Sequence, residues 1–583
     1  GSLTATGGYH SAGIGGSDKQ DGQVTITGGE IIANGGSLGA GIGGGAGDTD
    51  AVGGDGDVTI SGGTITATGG SLGAAGIGGG AYGNGTVTVT DGDITAKATG
   101  RYGAGIGGGY GAKPKPSGTL IGGNGTVTIS GGTITEASGG YMAAGIGSGF
   151  QGLGTVTIEG DAVIKNAQGG EAGAGIGSGT RGDSNILIRG DAVIENAESS
   201  GNGAGIGSGQ GDLYSDGDGM VIDPTVGNVT IEGNAKIENA KSGYGGSGIG
   251  GGVIGIGNVI IRGNAQIGNA IGGEEGAGIG GGALGTGDVT IEGNATIENA
   301  QGGAGAAGIG GGAETEPDTE DTRNKVSIKS TEAGSPNITA TGGGVLNDEN
   351  YPLAGAAAIG SGSVADGATE VKSAITIEGK VTIDATAGGS IAKGDAIAIG
   401  DALTGEQKFA GLPVGAVITR RDSDGVDLTQ EGDKPTEPEK PEPEKPNPEQ
   451  PSEPSGAVST SAPAEELTAS DAEYLVTVEG LSVTNALGKQ ITHTCTLNAQ
   501  GKVLTIRTNS IVATAHLTME TLRTLKAQGV ETIRFCTLLY RPTSVSIDAL
   551  LNLGVDEADI LWTHNGIQAR LTVGGTDSSS LLQ

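Results

Sequence analysis

The sequence predicts an all-β solenoid, a right-handed parallel β-helix of about twelve coils, over residues 1–430. Three observations favour this fold. A short tag, Ala-Gly-Ile-Gly or a close variant, recurs along this region, and Val and Ile alternate with Thr between the tags. Glycine accounts for 126 of the 583 residues, and glycine at this density opposes helix, so the repeated units are expected to be extended.

The tag sets the length of each repeated unit. Its isoleucine lies at Ile14, Ile42, Ile77, Ile106, Ile146, Ile176, Ile206, Ile249, Ile279, Ile309, Ile359 and Ile399. The basic spacing is about 30 residues, within the range of solenoid repeats, and inserted loops explain the longer spacings. One turn of chain per tag therefore gives twelve stacked coils.

Each coil is expected to contain three short strands separated by glycine-rich corners. The first strand is exemplified by residues 86–90 (TVTVT), where alternation of Val with Thr indicates one buried face. The second strand is exemplified by residues 192–197 (AVIENA). The tag, such as residues 174–177, is the third, with Ala and Ile pointing inward and Gly outward. Stacking of the coils would align the inward residues in aliphatic ladders.

Asparagine recurs at one position of the central units. The residues are Asn166, Asn196, Asn239, Asn269 and Asn299. Asparagine tolerates the left-handed backbone region and hydrogen-bonds to main chain at turns. These residues are therefore predicted to form a stacked, structural ladder at a corner.

Residues 431–462 are rich in Pro, Glu and Lys. Such a composition cannot bury apolar surface and predicts an extended, polyproline-like linker.

Residues 463–583 predict a small α+β domain. Strands are expected at 472–478, 502–508, 531–537 and 560–563. A helix is expected to begin at Thr518, to share one apolar face among Met519, Leu522 and Leu525, and to stop at Gly529.

The charge of the chain excludes some classes of partner. The formal net charge is −35 and the pI is about 4.3. A nucleic-acid-binding protein needs the opposite sign, because neutralisation of phosphates drives its affinity. Direct docking on an anionic membrane is disfavoured for the same reason, and no apolar run has the length of a membrane-spanning helix. We expect neither nucleic acid nor membrane insertion, and the acidity suits a protein outside the cell.

The cysteines are few and the candidate metal sites are incomplete. Cys495 and Cys536 lie on different predicted strands, where they form either a disulfide or two buried thiols. No CxxC pair or His/Cys cluster occurs, so a common zinc site is not expected. Residues 216–219 and 53–57 resemble calcium-binding loops only in part, so polar turns are favoured and no cofactor or metal is predicted.

The repeat style resembles that of known surface proteins. The units GTVTISGGTITEASGG (125–140) and GAGIGGG (103–109), followed by the Pro-Glu-Lys spacer, resemble glycine-rich surface proteins of Gram-positive, clostridia-like bacteria. The resemblance covers the first 456 residues. It implies a parallel β-helix that acts as an adhesin-like or glycan-facing stalk, secreted or held at the cell surface. No LPxTG-type sorting signal occurs, and the first residues already lie in a repeat, so any leader is expected upstream of them.

Aromatic residues are concentrated beside the tags and form the candidate ligand-binding site. The predicted residues are Tyr82, Tyr102, Tyr110, Tyr141, Phe150 and Tyr244, and Tyr9 and Tyr351 also flank a tag. Aromatic faces stack on sugar rings, and the outward glycines of the tags would leave a bare strip for an extended polymer. Glycan binding is the functional hypothesis. The alternative is that the rings cap the thin core at its corners.

A receptor motif is a second candidate site. Arg181, Gly182 and Asp183 spell the integrin-type Arg-Gly-Asp sequence in a predicted loop, which would make a host-surface protein the partner. Arg-Gly-Asp recurs at residues 189–191, in a corner where other coils carry Glu-Gly-Asp or Glu-Gly-Asn. This recurrence favours a structural role in the turn.

A row of threonines is expected to face outward on the first strands. Its members are Thr25, Thr59, Thr88, Thr128, Thr157, Thr230, Thr290 and Thr376. Regular threonine arrays can bind ice, but Leu187 and Ile260 interrupt this row. A solvated β face is the favoured interpretation.

Catalysis has little support in the sequence. The solenoid contains one histidine, His10, and the recurring corner residues Glu159, Glu232 and Glu292 are expected to be solvated. Carboxylates paired between stacked coils are the one route to a polysaccharide-degrading enzyme. We therefore predict a non-enzymatic, adhesin-like protein. The alternatives are a purely structural stalk and a polysaccharide-degrading enzyme, and the oligomeric state is left open.

Overall fold

The computed structural model describes residues 1–47, 54–111, 123–215, 220–313, 324–344, 346–347, 352–353, 355–363, 373–390, 397–401, 405–406, 415–430, 433, 474–476, 478, 480–485, 490–491, 493–498, 502–508, 513–537, 543–553, 558–564 and 569–582. The chain divides into two compact units, Gly1–Pro441 and Glu442–Gln583, which we call the solenoid and the C-terminal unit. Of the predicted linker, only residue 433 is among those described, so the linker and the domain limits stay predictions. No described helix is long and apolar enough to cross a bilayer.

The first strands stack in parallel with matching side chains opposite one another. Val127, for example, lies opposite Val87 on one side and Val156 on the other. The strands are Gly22–Ile26, Gly56–Gly69, Gly85–Ala98, Gly125–Ile129, Gly154–Ile158, Ser184–Ile188, Thr225–Ile231, Gly255–Ile261, Gly287–Glu292, Asn324–Lys329 and Ser373–Glu378. Two of them, Gly56–Gly69 and Gly85–Ala98, continue through the corner into the second strand of the coil.

The second strands stack in the same way. They are Ser2–Thr6, Glu30–Asn34, Thr133–Ser138, Val163–Ile164, Ala167–Gly169, Val193–Ser199, Lys236–Ser242, Gln266–Ile271, Thr296–Gln301, Asn337–Thr341, Thr382–Thr386 and Val417–Arg421. Together with the first strands they form one sheet of 23 strands.

The tags form a separate sheet of 13 strands. It consists of Ile14–Gly15, Ile42–Gly43, Ile77–Gly78, Ile106–Gly107, Ile146–Gly147, Ile176–Gly177, Ile206–Gly207, Ile249–Gly250, Ile279–Gly280, Ile309–Gly310, Ile359–Gly360 and Ile399–Asp401, with Gly405–Glu406 antiparallel at its end. The parallel β-helix and its twelve coils are thereby confirmed. The strand pairing does not define the hand of the winding, so the right-handed sense stays a prediction. Two short hairpins, Asp212–Ser215 with Met220–Asp223 and Leu346–Asn347 with Pro352–Leu353, extend from the coils.

The interior of the solenoid is a thin aliphatic column. Its buried cluster consists of Val, Ile and Ala, one rung per coil, as predicted. Ile129, Ile134 and Ile146, from the three strands of one coil, are fully buried. Each buried aliphatic side chain of this size stabilises the fold by about 1.5–3 kcal/mol, so stability accumulates along the stack.

The tag does not lie flat on the surface of the solenoid. The N–H of the tag alanine donates to the carbonyl four residues later, as Ala104 does to Gly108 at 2.9 Å and Ala174 to Ser178 at 2.9 Å. The chain therefore turns inward at the tag, inserts the isoleucine into the core and turns back. We call the segments that enter and leave this turn the arms of the tag.

The arms of neighbouring coils close over the tags. The leaving arm of each coil donates a backbone N–H to the entering arm of the preceding coil, as Phe150 does to the carbonyl of Tyr102 at 2.9 Å. The pairs are Ala46–His10, Ala81–Leu38, Tyr110–Gly73, Phe150–Tyr102, Thr180–Met142, Gln210–Ala172, Val253–Asn202, Ala283–Gly245, Ala313–Glu275 and Ser363–Gly305. We call the surface that the paired arms form the roof.

The roof makes the prediction of a bare, outward glycine strip wrong. The tag glycines Gly105 and Gly107 are buried, as are their counterparts in neighbouring coils. A Cβ on Gly107 would lie 1.9 Å from the carbonyl oxygen of Gly147, and Gly107 has a φ of +128°. Glycine is required here because backbone of the next coil approaches too closely for any side chain.

The predicted asparagine ladder exists, but the predicted reason for it is wrong. Asn239 donates its side-chain amide to Asn196 at 3.1 Å, and Asn269 donates to Asn239 at 3.1 Å. Asn299 continues the ladder, whereas Asn196 donates to the backbone carbonyl of Lys165, one coil earlier, and not to the side chain of Asn166, which was also predicted to belong to the ladder. The four asparagines of the ladder lie in the second strands and have no positive φ. The ladder therefore arises from amide stacking between coils, because successive coils are only about 4.8 Å apart.

The C-terminal end of the solenoid is closed by a buried ion pair. Arg420 lies opposite Ala385 of the preceding coil, in a row whose members point into the core. Its Nη2 atom is 2.6 Å from Oδ1 of Asp433, and both side chains are fully buried. Asp433 also accepts the backbone N–H of Gln430 at 2.8 Å. The segment after residue 421 thus folds back over the end of the core.

The C-terminal unit contains two five-stranded sheets. One has the strand order Tyr474–Val476, Thr494–Leu497, Val503–Arg507, Thr532–Cys536 and Thr543–Ser546, and the other Ser482–Asn485, Ala513–Thr518, Asp559–His564, Ala569–Val573 and Thr576–Asp577. The helices are α1 (Met519–Ala527), α2 (Ile547–Leu551) and a short 3-10 turn (Ser579–Leu581). The small α+β architecture is thereby confirmed.

Helix α1 begins as the sequence predicts. The side chain of Thr518 accepts the N–H of Thr521, which is an N-cap bond. Met519, Leu522 and Leu525 are buried against the sheets. Gly529 follows the helix with a φ of +94°, a conformation that favours glycine and ends the helix.

The two cysteines are thiols, not a disulfide. The strand Val503–Arg507 lies between the strands that carry Cys495 and Cys536. Two strand spacings amount to about 10 Å, whereas a disulfide needs Cα atoms within about 7 Å. Burial raises the pKa of the Cys495 thiol to about 11, so this thiol is inert at neutral pH.

Candidate ligand-binding surface

Four of the six predicted aromatic residues form one group on the roof. The ring centroids of Tyr82 and Tyr110 are 5.1 Å apart, and those of Tyr102 and Tyr110 are 4.8 Å apart. Phe150 lies 5.4 Å from Tyr102 and stacks on Tyr110 at 5.9 Å with an interplanar angle of 15°. We call Tyr82, Tyr102, Tyr110 and Phe150 the aromatic cluster. It spans three adjacent coils.

The backbone of the roof holds these rings in place. Tyr82 has a φ of 64°, and its N–H donates to the carbonyl of Tyr110 at 2.9 Å. Gly73 packs directly beneath the cluster, because a Cβ there would lie 2.8 Å from the Cβ of Tyr110. A fixed backbone therefore presents a fixed group of rings.

The cluster is partly buried by its own packing. Its three tyrosines are half-buried, and Phe150 is 9% exposed. Burial, with the neighbouring Tyr82 and Tyr102, raises the pKa of Tyr110 above its ordinary value, so its hydroxyl stays protonated and can donate a hydrogen bond. Aromatic pairs of this kind contribute about 0.5–1.5 kcal/mol each beyond area burial. The arrangement suits both predictions, a partly open aromatic platform and a cap on the corner.

Arg101 connects the cluster to Tyr141. The guanidinium carbon is 5.9 Å from the ring centroid of Tyr102 and 5.2 Å from that of Tyr141, both within cation–π distance. Tyr141 is 44% exposed. A hydrogen bond to Glu171, followed by the charge of that carboxylate, raises the pKa of Tyr141. Tyr141 is thus an exposed ring whose hydroxyl is already engaged by a carboxylate.

Tyr244 is not part of this group. It is 51% exposed and lies on the roof three coils beyond Tyr141, about 14 Å along the stack. Within the described chain, no other aromatic ring packs on it. Tyr9 pairs with His10 at 4.9 Å in the first coil, and Tyr351 lies outside the described residues.

Comparison with protein families agrees with the fold. A family model described as "Beta helix repeat" matches residues 1–18, 24–46, 58–81 and 127–150. Each matched segment contains one tag and the strand before it. Comparisons with curated proteins and with solved structures give no match. The first coils are therefore similar to β-helix repeats, in agreement with the parallel sheets.

The Arg-Gly-Asp residues have structural partners in the solenoid. Arg181 has a φ of 60°, its guanidinium is 2.7 Å from Asp212, and it lies over the ring of Phe150 at 5.8 Å. Asp183 accepts the backbone N–H of Val226 in the next coil at 2.8 Å.

The same bond recurs in other coils at the residue that precedes the first strand. Asp21 accepts from the N–H of Asp55, and Asp55 accepts from the N–H of Asn84. These contacts favour a structural role for Asp183, which links the corners of adjacent coils. Receptor binding stays an untested prediction.

The recurring glutamates belong to a row of alternating charge. In this corner Arg189 Nε donates to Glu159 at 2.7 Å, and Arg262 Nε donates to Glu232 at 2.8 Å. The row continues with Glu292, Lys329 and Glu378, which lie opposite one another in register. A cation therefore separates each pair of glutamates along this row, so adjacent coils do not supply two neighbouring carboxylates here.

The threonine row lies in register along the first strands, as predicted. Thr25, Thr59, Thr88, Thr128 and Thr157 are consecutive. Leu187 and Ile260 then interrupt the row on either side of Thr230, which is only 2% exposed. The continuous threonine surface is therefore confined to five coils.

The two calcium-like loops of the sequence are described only in part. Residues 216–219 fall outside the described residues, and Asp55 uses its carboxylate on the backbone of Asn84. No group of three or more His, Cys, Asp or Glu side chains among the described residues is placed to hold a metal.

Arg101 is a residue of this surface that the sequence did not predict. Its neighbour Tyr102 was predicted, but a basic residue next to one tyrosine is a weak signal. The approach of Tyr141 from the next coil becomes visible only when the arms are paired.

Proposed function

We propose that this chain is a non-enzymatic, adhesin-like module that acts outside the cell and binds glycan on its roof. The observation that carries the proposal is the aromatic cluster, in which half-buried tyrosines from adjacent coils form one group beside the exposed Tyr141. Flat aromatic groups on a rigid scaffold bind the apolar faces of sugar rings with little loss of conformational entropy. The acidic, repetitive chain and its resemblance to glycine-rich surface proteins of Gram-positive bacteria support the location.

A purely structural stalk is the second candidate function. The mutual packing of Tyr110 and Phe150 supports it, because rings that cover one another leave less surface for a ligand. A polysaccharide-degrading enzyme is less well supported, since the recurring glutamates alternate with Arg and Lys.

The test is a glycan array probed with the full chain and with Tyr102→Ala, Tyr110→Ala and Tyr141→Ala variants. If the cluster binds glycan, each variant loses about tenfold or more in affinity, which corresponds to about 1.4 kcal/mol of stacking. Tyr110→Phe keeps the ring and is expected to retain most of the binding.

Two exposed tyrosines provide matched controls. Tyr9→Ala and Tyr244→Ala remove a ring from the same roof but outside the cluster, so binding should be unchanged. Circular dichroism and thermal unfolding establish that each variant is folded. Unchanged binding in folded cluster variants would contradict the proposal, and an unsubstituted chain that binds no glycan would leave the stalk as the function.

A further inference from the structure

Arg101 differs from the other arginines that the structure describes in the solenoid. Each of the other five pairs with a carboxylate. The pairs are Arg181–Asp212, Arg189–Glu159, Arg262–Glu232, Arg420–Asp433 and Arg421–Asp384. Within the described residues no carboxylate pairs with Arg101, although the chain has 66 acidic and 31 basic residues. An arginine to which the described residues offer no ion pair has a charge available for a ligand.

The contacts of Arg101 leave its hydrogen-bonding groups accessible. The side chain is exposed, and its guanidinium lies over the rings of Tyr102 and Tyr141. A guanidinium that rests its face on aromatic rings keeps the N–H groups at its rim, where two of them match the oxygens of a carboxylate. The two rings also restrict the side chain, so less entropy is lost when an anion binds.

Two carboxylates of the neighbouring coils already have partners. Glu171 accepts a hydrogen bond from the hydroxyl of Tyr141. Glu136, on the strand that precedes Tyr141 in the chain, pairs with Lys97 at 2.7 Å. Both carboxylates therefore have partners other than Arg101.

We infer that the glycan bound at the aromatic cluster carries a single carboxylate, as in a terminal sialic or uronic acid, and that Arg101 binds it. The inference rests on the proposed function of the same site. One carboxylate fits better than a polyanion, because the net charge of −35 repels a polyanionic chain as a whole. Two charge-assisted hydrogen bonds from one guanidinium are specific for a carboxylate, so the surface around Arg101 need not be basic.

The experiment compares sugars that differ only in the acid. Isothermal titration of the full chain is carried out with 3′-sialyllactose against its neutral C1 carboxamide, and with cellobiouronic acid against cellobiose. We expect the acidic member of at least one pair to bind about tenfold more tightly. Arg101→Gln should reduce that binding to the level of the neutral sugar, and Arg101→Lys should restore it only in part because lysine lacks the planar fork.

Arg189→Gln is the matched control, since it removes one exposed arginine from the corner row outside the roof and should leave both affinities unchanged. Equal affinities for acidic and neutral sugars, or an acid preference that survives Arg101→Gln, would overturn the inference. If Tyr102→Ala still abolishes binding in that case, the proposed glycan-binding function stands. If Tyr102→Ala and Tyr110→Ala leave binding unchanged, the proposed function fails as well.

Discussion

At the residue scale, an unusual backbone conformation recurs in the arm that leaves the tag. Lys19, Tyr82, Gln151, Arg181, Ile254 and Leu284 all have φ between 57° and 64°, and each follows its tag isoleucine by five residues. The left-handed conformation costs a non-glycine residue about 1–2 kcal/mol. Each of these residues donates its N–H to the next coil, as Lys19 does to Ala46 at 2.7 Å and Leu284 to Ala313 at 2.9 Å. These six residues share no charge, size or polarity, so the sequence gives no signal of their left-handed conformation.

A buried histidine is the most distinctive single residue of the C-terminal unit. His564 is fully buried, with its two ring nitrogens 3.1 Å from the Thr537 hydroxyl and 2.7 Å from the Thr543 hydroxyl. Burial lowers the pKa of His564 from 6.5 to about 4. The histidine is therefore neutral in the folded unit at pH 7.

We predict that this histidine makes the C-terminal unit less stable in mild acid. The folded state resists protonation down to about pH 4, whereas the unfolded chain takes up the proton near pH 6.5. Stability is therefore complete above pH 6.5 and falls as the pH decreases, by about 2 kcal/mol between pH 7 and pH 5. Fluorescence of Trp562, the single and fully buried tryptophan, reports unfolding in urea at each pH.

His564→Gln is the control for this prediction. Glutamine does not titrate, so the variant should lose much less stability over the same pH interval, although it is less stable at pH 7. An equal loss in the variant would assign the pH dependence to other groups.

At the element scale, the tag behaves differently from the other two strands. Alternation of apolar and polar residues predicts the faces of the first and second strands correctly, because both lie in a continuous sheet. The tag is a two-residue strand at the bottom of an inward turn, and its Ala104–Gly108 hydrogen bond closes that turn. Periodicity over two residues cannot reveal such a turn.

The sequence predicted only that the recurring glutamates of the row of alternating charge are solvated, not that cations of the neighbouring coils pair with them. We predict that Arg262→Glu destabilises the solenoid by about 1–2 kcal/mol, because it would place like charges next to both Glu232 and Glu292. The measurement is urea unfolding followed by circular dichroism. In 1 M salt the difference should decrease, since both side chains of the Arg262–Glu232 pair are partly exposed.

Lys236→Glu provides a comparison in the preceding coil. Lys236 pairs with Glu238 of its own strand at 2.8 Å and lies opposite Val193 and Gln266 in the neighbouring coils. The same reversal of charge should cost clearly less there. If Arg262→Glu and Lys236→Glu lower the free energy of unfolding equally, alternation of charge between coils does not stabilise the solenoid.

At the scale of the whole molecule, the solenoid is a stack in which each coil contacts its neighbours. Its stability is therefore approximately a sum over coils and interfaces, and an end needs its own closure. Arg420 and Asp433 supply this closure at one end. Composition alone placed Asp433 in the linker, since its acidic, proline-rich surroundings give no sign of burial.

We predict that Asp433→Ala destabilises the last coils by about 3–5 kcal/mol, because it would leave the buried guanidinium of Arg420 without its carboxylate. Adding Arg420→Ala should recover part of this loss, since alanine occupies the equivalent position at residue 385. Hydrogen exchange of the strand Val417–Arg421 measures the local effect. If the double variant is as unstable as Asp433→Ala alone, the unpaired Arg420 is not the cause of the loss, and the proposed closure by the Arg420–Asp433 pair is contradicted.

The sequence by itself determined the coil count, the aliphatic ladders, and four of the ten described strands and the first helix of the C-terminal unit. These features depend on local periodicity and on helix-capping residues, which a chain carries in its own order. Only the tertiary structure decided that the tag glycines are buried under a roof, that Tyr102 and Tyr141 from neighbouring coils meet around Arg101, and that Cys495 and Cys536 are separated by a strand. The first two depend on backbone hydrogen bonds between residues about 30 or more positions apart, and the third on the pairing of Val503–Arg507 with Thr532–Cys536. Spacing along the chain does not encode which arms or strands become neighbours.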